Sequence, residues 1–470
     1  MTERPNLIVI VSDTFRADFL GCSGNTQIHT PNLDAFARDS IRFTAAHPEA
    51  LPTIVYRRAL HTGRRIYPIR NYRPLKWDIV YLPGWQPIDN AEDTLAENLA
   101  EHGYYTGFVT DTHPYFAPGM NFTRGFWQWE FVRGIHHDKW RSPATVSREH
   151  LTRYGNPDEM LKDLTGNRTL RHVANTLHVR TEAETTTAQV FQHAIDFLND
   201  NRRLSPFYLL VDSFAPHEPW EAPPAYLDRY ADPGYQGRTI VHTRYGPIDG
   251  QMDEAELAHV KAHYSGLVTL VDAWFGRLVE TIKHLGMYDN SVIVFTSDHG
   301  TNFADNPERI VGKPSYAMYP GVMSVPLLVR FPDGMGAGKT SDQLVSNVDL
   351  VATLYGQSGV DSALGKEARL DGQDLTPLAS GEDWQERPYL TCRYGNDLWY
   401  RDRNDWLLFD LDGKPRARFD LTRDPKCQQN IVNDGSDVVA RAWNCILADA
   451  GGDLPDYRNM RSTDAIGGRQ

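Results

Sequence analysis

Only four cysteines, Cys22, Cys392, Cys427 and Cys445, occur in 470 residues, and no two share a CxxC spacing. That excludes a zinc knuckle and a disulfide framework as organising devices, and it is the usage expected of a cytoplasmic protein with reduced thiols. Basic charge is also in deficit: 48 Lys and Arg stand against 61 Asp and Glu, a net charge of −13. An acidic shell argues against a nucleic-acid surface while leaving room for a local basic pocket that receives a small anion. Nowhere does an apolar run approach the roughly eighteen residues of a membrane span. The apolar stretch in "MTERPNLIVIVSD" ends at Asp13 without a basic leader or a small-residue cleavage site. It reads as a strand, not an export signal.

Four short apolar runs are present, at 7–11, 207–211, 292–295 and 325–329. Each is apolar on both faces, as in strands of a parallel or mixed sheet covered by helices on two sides. A helix is predicted over 32–43, with Thr30 as N-cap and Pro31 at the first position. A second spans 94–102, where Thr94 and Glu97 form a capping box and Gly103 stops the chain. A third carries Val190, Ala194, Phe197 and Leu198, and the longest runs from Leu267 to Leu285 before Gly286. This alternation predicts an α/β, doubly wound fold with a mostly parallel, mixed central sheet.

The length exceeds what one hydrophobic core serves, so a catalytic domain over 1–375 and a smaller α+β subdomain over 376–470 are expected. In the latter, pieces such as 398–400 and 406–409, separated by Asp-Gly and Asn-Asp turns, predict an antiparallel unit. Two segments, 66–92 and 114–180, are rich in Tyr, Trp, Pro, Arg and His and lack a clear period. They are expected to roof a site and set its specificity.

Ligands of open α/β sheets collect outside the carboxyl ends of the strands. Three apolar runs end in carboxylates there: Asp13, Asp212, and Asp298 with His299 and Gly300. A carboxylate and an imidazole together at a strand end point to a divalent metal. If 53–62 is a helix, Thr53 opens it, where the dipole favours an anionic ester, and Arg57 follows one turn on with a fork suited to phosphoryl or sulfuryl oxygens.

The order strand-Asp13, "HTPNLDAFA", Thr53 with Arg57 before "RALHTGR", "PHEPW", "TSDHG", and Lys313 ahead of "VPLLVRFP" resembles the type I sulfatases of the alkaline phosphatase superfamily. Even "FDLTRDPKCQQNIV" near the end is similar to that family's closing segment. The resemblance implies that Asp13, Asp298 and His299 hold a metal ion that Thr53, at the nucleophile position, also touches. It implies that Arg57 steadies the nucleophile and the anion, that Lys313 contacts the anion, and that His113 and His217 are catalytic, His217 near the leaving group.

The departures from the family bear on the substrate. Its sulfatases carry Cys or Ser in C/S-x-P-x-R, matured to formylglycine, whereas residues 53–57 read Thr-Ile-Val-Tyr-Arg. Threonine cannot become the aldehyde, so no formylglycine is expected, and a threonyl ester must be cleared by water at phosphorus or sulfur. Thr14 replaces a second Asp ligand, which favours manganese or zinc over calcium. Asp111 stands where a lysine is usual, which suits a singly charged diester. No histidine follows His299, so one metal is expected rather than two, with Asp212 an outer or turn residue. The expected activity is metal-dependent hydrolysis of a small anionic phosphate (di)ester or sulfate ester through Thr53. The alternatives are a true sulfuric ester hydrolase on a sulfated small molecule or sugar, and an inactive sulfatase-like anion-binding protein. Oligomeric state is left open.

Overall fold

The computed structural model describes residues 4–74, 82–135, 137–360 and 370–460. The strands that matter for the site are, in chain order, β1 (Asn6–Ser12), β2 (Ile41–Phe43), β3 (Ala50–Leu51), β4 (Tyr105–Thr110), β5 (Gln128–Phe131), β6 (Phe207–Ser213), β7 (Ser291–Thr296), β8 (Leu327–Arg330) and β9 (Thr340–Ser341). All but β3 join one sheet, ordered β9-β2-β8-β7-β1-β6-β4-β5. From β5 to β7 every neighbouring pair is parallel, and β8 runs antiparallel to both β7 and β2. This is the mostly parallel, mixed sheet the apolar runs predict.

The principal helices are α1 (Pro31–Arg38), α2 (Thr53–Thr62), α3 (Leu95–Glu101), α4 (Thr186–Asp200), α5 (Glu254–His284) and α6 (Asn347–Ser358). They divide between the two faces by the period-2 alternation of β1. Ile8 and Ile10 pack with α1, α4 and α5, whereas Leu7, Val9 and Val11 pack with α2, α3 and α6. Every residue of β1 and β6 is buried. At about 1.5–3 kcal/mol for each buried aliphatic side chain, these strands anchor the sheet and hold their C-terminal ends in fixed register.

One sequence expectation needs correction. The helix predicted over 32–43 ends at Arg38, and Ile41 lies in β2. Ser40 Oγ donates back to the Phe36 carbonyl at 2.7 Å and closes the helix, after which pairing with β8 takes over. The segment 114–180, which shows no clear period, folds short helices at Arg148–Leu151, Pro157–Leu161 and Arg168–Thr176 besides β5. Asn156 and Asn167 cap two of them. These helices are too short for periodicity to register. His136 of that segment, and residues 75–81 of the 66–92 segment, lie outside the described residues. The long helix begins thirteen residues before Leu267, behind an Asp253–Glu256 capping box.

Near the C-terminus β10 (Tyr389–Tyr394), β11 (Asp397–Asp402), β12 (Asp405–Asp410) and β13 (Pro415–Asp420) form an antiparallel meander. Helix α7 (Ser436–Asp449) covers it through Ala442 and Ile446. The meander does not stand alone, because β10 pairs in parallel with β3, Arg393 opposite Ala50 and Tyr394 opposite Leu51. β3 leads straight into α2. Among the described residues all four cysteines are unpaired, and no helix is long and apolar enough to cross a membrane.

All ten residues of α2 are buried. Its His61 sits among Phe108, Tyr115, Phe122 and Phe126, and burial, reinforced by Arg57, pushes its pKa from 6.5 down to about 3. Between those values the unfolded chain binds a proton that the native chain refuses, so stability rises with pH across the window and is lost as pH falls below 6.5. Acidification to about pH 5 should therefore cost on the order of 2 kcal/mol from this group. Melting curves of His61→Leu should show a shallower acid decline than wild type; parallel declines would contradict the assignment.

Candidate active site

Four strand ends and one helix start converge. Asp13 follows β1, Asp111 follows β4, Asp212 is the sixth residue of β6, and Asp298 and His299 follow β7. All five are fully buried. Gly300 after His299 is required by space, since a Cβ there would lie 2.1 Å from the Gly321 carbonyl oxygen. Thr14 adopts a φ of +63°, which a β-branched residue avoids and which costs about 1–3 kcal/mol. Its backbone is clamped on both sides. Its N–H donates to Asp298 Oδ1 at 3.0 Å and its carbonyl accepts from Tyr264 at 2.8 Å.

Thr53 opens α2 and is 4% exposed. The approach to it is fixed from both ends of the helix: Glu49, just before β3, accepts from the backbone N–H groups of Ile66 and Tyr67 at 2.8 and 3.2 Å. Arg57, one turn on, donates from Nη1 to the Thr53 carbonyl at 3.4 Å. Its fork is otherwise filled by carboxylates. Nε and Nη2 hold Asp212 bidentately at 2.8 and 2.7 Å, and Nη1 meets Asp298 at 2.5 Å. Nη2 is also 3.1 Å from Asp13 Oδ2, although not aligned for a hydrogen bond. Asp212 thus does more than shape a turn: it also accepts from Thr112 and Tyr115 and sets the plane of the guanidinium.

Asp13, Asp298 and His299 each offer a ligand atom, and these atoms lie within 4.8 Å of one another. The donor set fits a divalent cation on two further grounds. His299 Nδ1 lies 3.0 Å from the Gly300 carbonyl and must carry the hydrogen, so Nε2 is the lone-pair nitrogen, and neither it nor Asp13 Oδ2 has a hydrogen-bond partner. Burial, with Lys313 and Arg57 nearby, lowers the His299 pKa to about 4, keeping the imidazole in its ligating form. The two carboxylates differ. Burial and the neighbouring Asp298 push Asp13 well above the usual range, whereas His299 and Arg57 outweigh burial at Asp298 and hold it below. Three buried carboxylates against one guanidinium leave negative charge that a dication would offset.

On the opposite wall Lys313 Nζ donates to Thr14 Oγ1 at 3.2 Å and to Glu218 Oε2 at 3.3 Å, and Thr14 Oγ1 donates to Asp13 Oδ1 at 2.7 Å. Lys313 is held in turn by Tyr394 of β10, whose hydroxyl donates to its carbonyl at 2.9 Å. His217 Nδ1 lies 2.6 Å from the Glu218 carbonyl, which makes Nε2 the proton acceptor. Burial lowers its pKa to about 3. His113 Nε2 is 3.9 Å from Asp138, and its Nδ1 is buried without a hydrogen-bond partner among the described residues. Its neighbours Thr112 and Tyr115, rather than His113 itself, reach Asp212.

The sequence reasoning missed Glu218, Tyr245, Tyr394 and Tyr115. Glu218 could have been found, as the charged centre of "PHEPW"; the tyrosines lie in segments whose approach to the site depends on folding. Asp111 is buried, accepts from the Phe214 N–H at 2.6 Å, and is pushed by burial to a pKa of about 7.

Known proteins share this arrangement of the chain. A family model described as Sulfatase matches residues 5–360, and one described as "N-sulphoglucosamine sulphohydrolase, C-terminal" matches residues 315–440. An arylsulfatase of Clostridium perfringens is 24% identical over 467 residues, covering 92% of this chain and 90% of that protein. A multifunctional alkaline phosphatase superfamily protein of Trinickia caryophylli is 24% identical, covering 97% of this chain and 98% of that protein. Among solved structures, a phosphonate monoester hydrolase of Agrobacterium radiobacter superposes with a TM-score of 0.73 at 20% identity, covering 95% of this chain and 96% of that one. With the family model spanning most of its length, this chain belongs to the sulfatase family of the alkaline phosphatase superfamily, and it is an ester-bond hydrolase.

Proposed function

We propose that this hydrolase uses the unmodified hydroxyl of Thr53 to cleave a small, singly charged phosphorus ester. The observation that carries the reading is Thr53 itself: a hydroxyl residue opens the buried helix whose Arg57 is bound to Asp298, beside the grouped Asp13, Asp298 and His299. Thr53 Oγ bonds to phosphorus as the leaving oxygen departs, giving a phosphothreonine ester. Water then attacks phosphorus and releases Thr53. His217, neutral and with Nε2 as acceptor, carries the proton from the attacking hydroxyl to the leaving oxygen. Lys313 contacts the anion, while Arg57, its fork filled by Asp212 and Asp298, steadies the nucleophile through the Thr53 carbonyl. Asp13, Asp298 and His299, with Thr53, would hold one divalent ion, which when bound supplies positive charge for the anionic group. The phosphonate monoester hydrolase among the structural neighbours supports a phosphorus ester.

Sulfate ester hydrolysis is the second reading, favoured by the arylsulfatase among the relatives. Parallel assays of bis(4-nitrophenyl) phosphate and 4-nitrophenyl sulfate on one manganese-supplied preparation separate the two. Faster phosphodiester turnover is expected, with chelation abolishing it and an intact mass showing Thr53 unmodified. A clear preference for the sulfate would overturn the phosphorus reading, and no turnover of either ester would overturn both.

A further inference from the structure

Glu218 lies inside the site with 2% of its surface exposed, between His217 and Pro219. Its carboxylate has three partners. Oε1 accepts from the Tyr245 hydroxyl, Oε2 accepts from Lys313 Nζ at 3.3 Å, and His217 Nδ1 stands 3.3 Å from Oε2. Burial alone would raise its pKa, but His217, Lys313 and Tyr245 together hold it well below the usual carboxylate range, so the group stays charged. The charge of Lys313 is therefore already matched, and so is that of Arg57 by Asp212 and Asp298.

We infer that Glu218 is a specificity-determining residue that admits esters carrying one negative charge and rejects those carrying two. This rests on the reading of the site as one that binds an anionic ester. An ester oxygen that reaches Lys313 comes no more than about 6 Å from the Glu218 carboxylate, one hydrogen-bond length beyond the lysine. At that range each additional substrate charge meets repulsion amounting to between about tenfold and a hundredfold in affinity. Sulfate monoesters, phosphodiesters and phosphonate monoesters carry one charge. A phosphate monoester, whose second pKa is about 6, carries nearly two in mildly alkaline buffer.

Phenyl sulfate and phenyl phosphate have nearly the same shape and differ by that one charge. Calorimetric titration of each into manganese-supplied protein at about pH 8 reads the discrimination directly. Wild type should bind phenyl sulfate more tightly. Glu218→Gln should shrink the ratio of the two dissociation constants by about tenfold or more. Tyr245→Phe, which removes a hydrogen bond from Glu218 but keeps its charge, should leave the ratio in place, which a merely positional role for Glu218 would not. The inference is overturned if wild type binds phenyl phosphate as tightly as phenyl sulfate, a result that needs no variant to fold, or if Glu218→Gln leaves the ratio unchanged. Binding with the expected ratio but without turnover of any ester would instead sink the hydrolytic reading alone.

Discussion

Thr53→Ala is expected to lower turnover by on the order of a thousandfold or more while leaving the melting temperature nearly unchanged. The size follows from what is removed. If the hydroxyl is the attacking atom, nothing else at the start of α2 replaces it: Pro52 precedes it, and Ile54 and Val55 follow. The small structural cost follows from its position. Thr53 is the first helical residue, its carbonyl rather than its side chain meets Arg57, and the helix is fixed by Glu49 before it and by its buried faces. Thr53→Ser keeps an oxygen and should retain measurable turnover. Quenching the wild-type reaction in acid and measuring the mass of the peptide containing residue 53 should reveal a phosphoryl adduct absent from the alanine variant. Near-wild-type rates in Thr53→Ala would refute the nucleophile assignment.

Replacing Arg57 should give the second large effect, on stability as well as activity. Its guanidinium is wholly buried and meets Asp212, Asp298 and Asp13. Arg57→Met keeps much of the stem's volume but leaves three buried carboxylates without their cation, and loss of one partner from such a pair costs about 3–5 kcal/mol. Chemical denaturation in the presence of a chelator should show this loss in full. Supplying a divalent ion should restore part of it, because an ion among Asp13, Asp298 and His299 would answer the same negative charge. Arg57→Lys preserves the charge but not the bidentate fork on Asp212, so it should lose less stability and still lose most activity. A variant stable without metal would mean that the acidic cluster is neutralised by other groups.

The sequence was most informative where local chemistry and covalent order suffice. The apolar runs ending in Asp13, Asp212 and Asp298 located three parallel strands, because residues flanking a buried strand must be polar where the chain leaves the core. The Thr94 capping box formed as read, with both reciprocal bonds present. The start of α2 at Thr53 was legible from the spacing to Arg57 and from Gly63 after its last turn, where φ is +70°.

What pairs across long separations was not legible. Periodicity alone could not tell that Ile41 leaves a helix for an edge strand, since the choice is made by β8, nearly three hundred residues later. Asp212 read as an outer or turn residue, and its partner Arg57, 155 positions away, could not be read from the order of the chain. The meander near the C-terminus read as an appendage, yet β10 pairs with the strand leading into Thr53, and its Tyr394 holds the carbonyl of Lys313. The sequence by itself determined the strand ends that carry the site's acids and the hydroxyl at position 53. Only the tertiary structure decided which charges cancel one another there, because electrostatic pairing depends on distance in space and on exclusion of water, neither of which is a property of order along the chain.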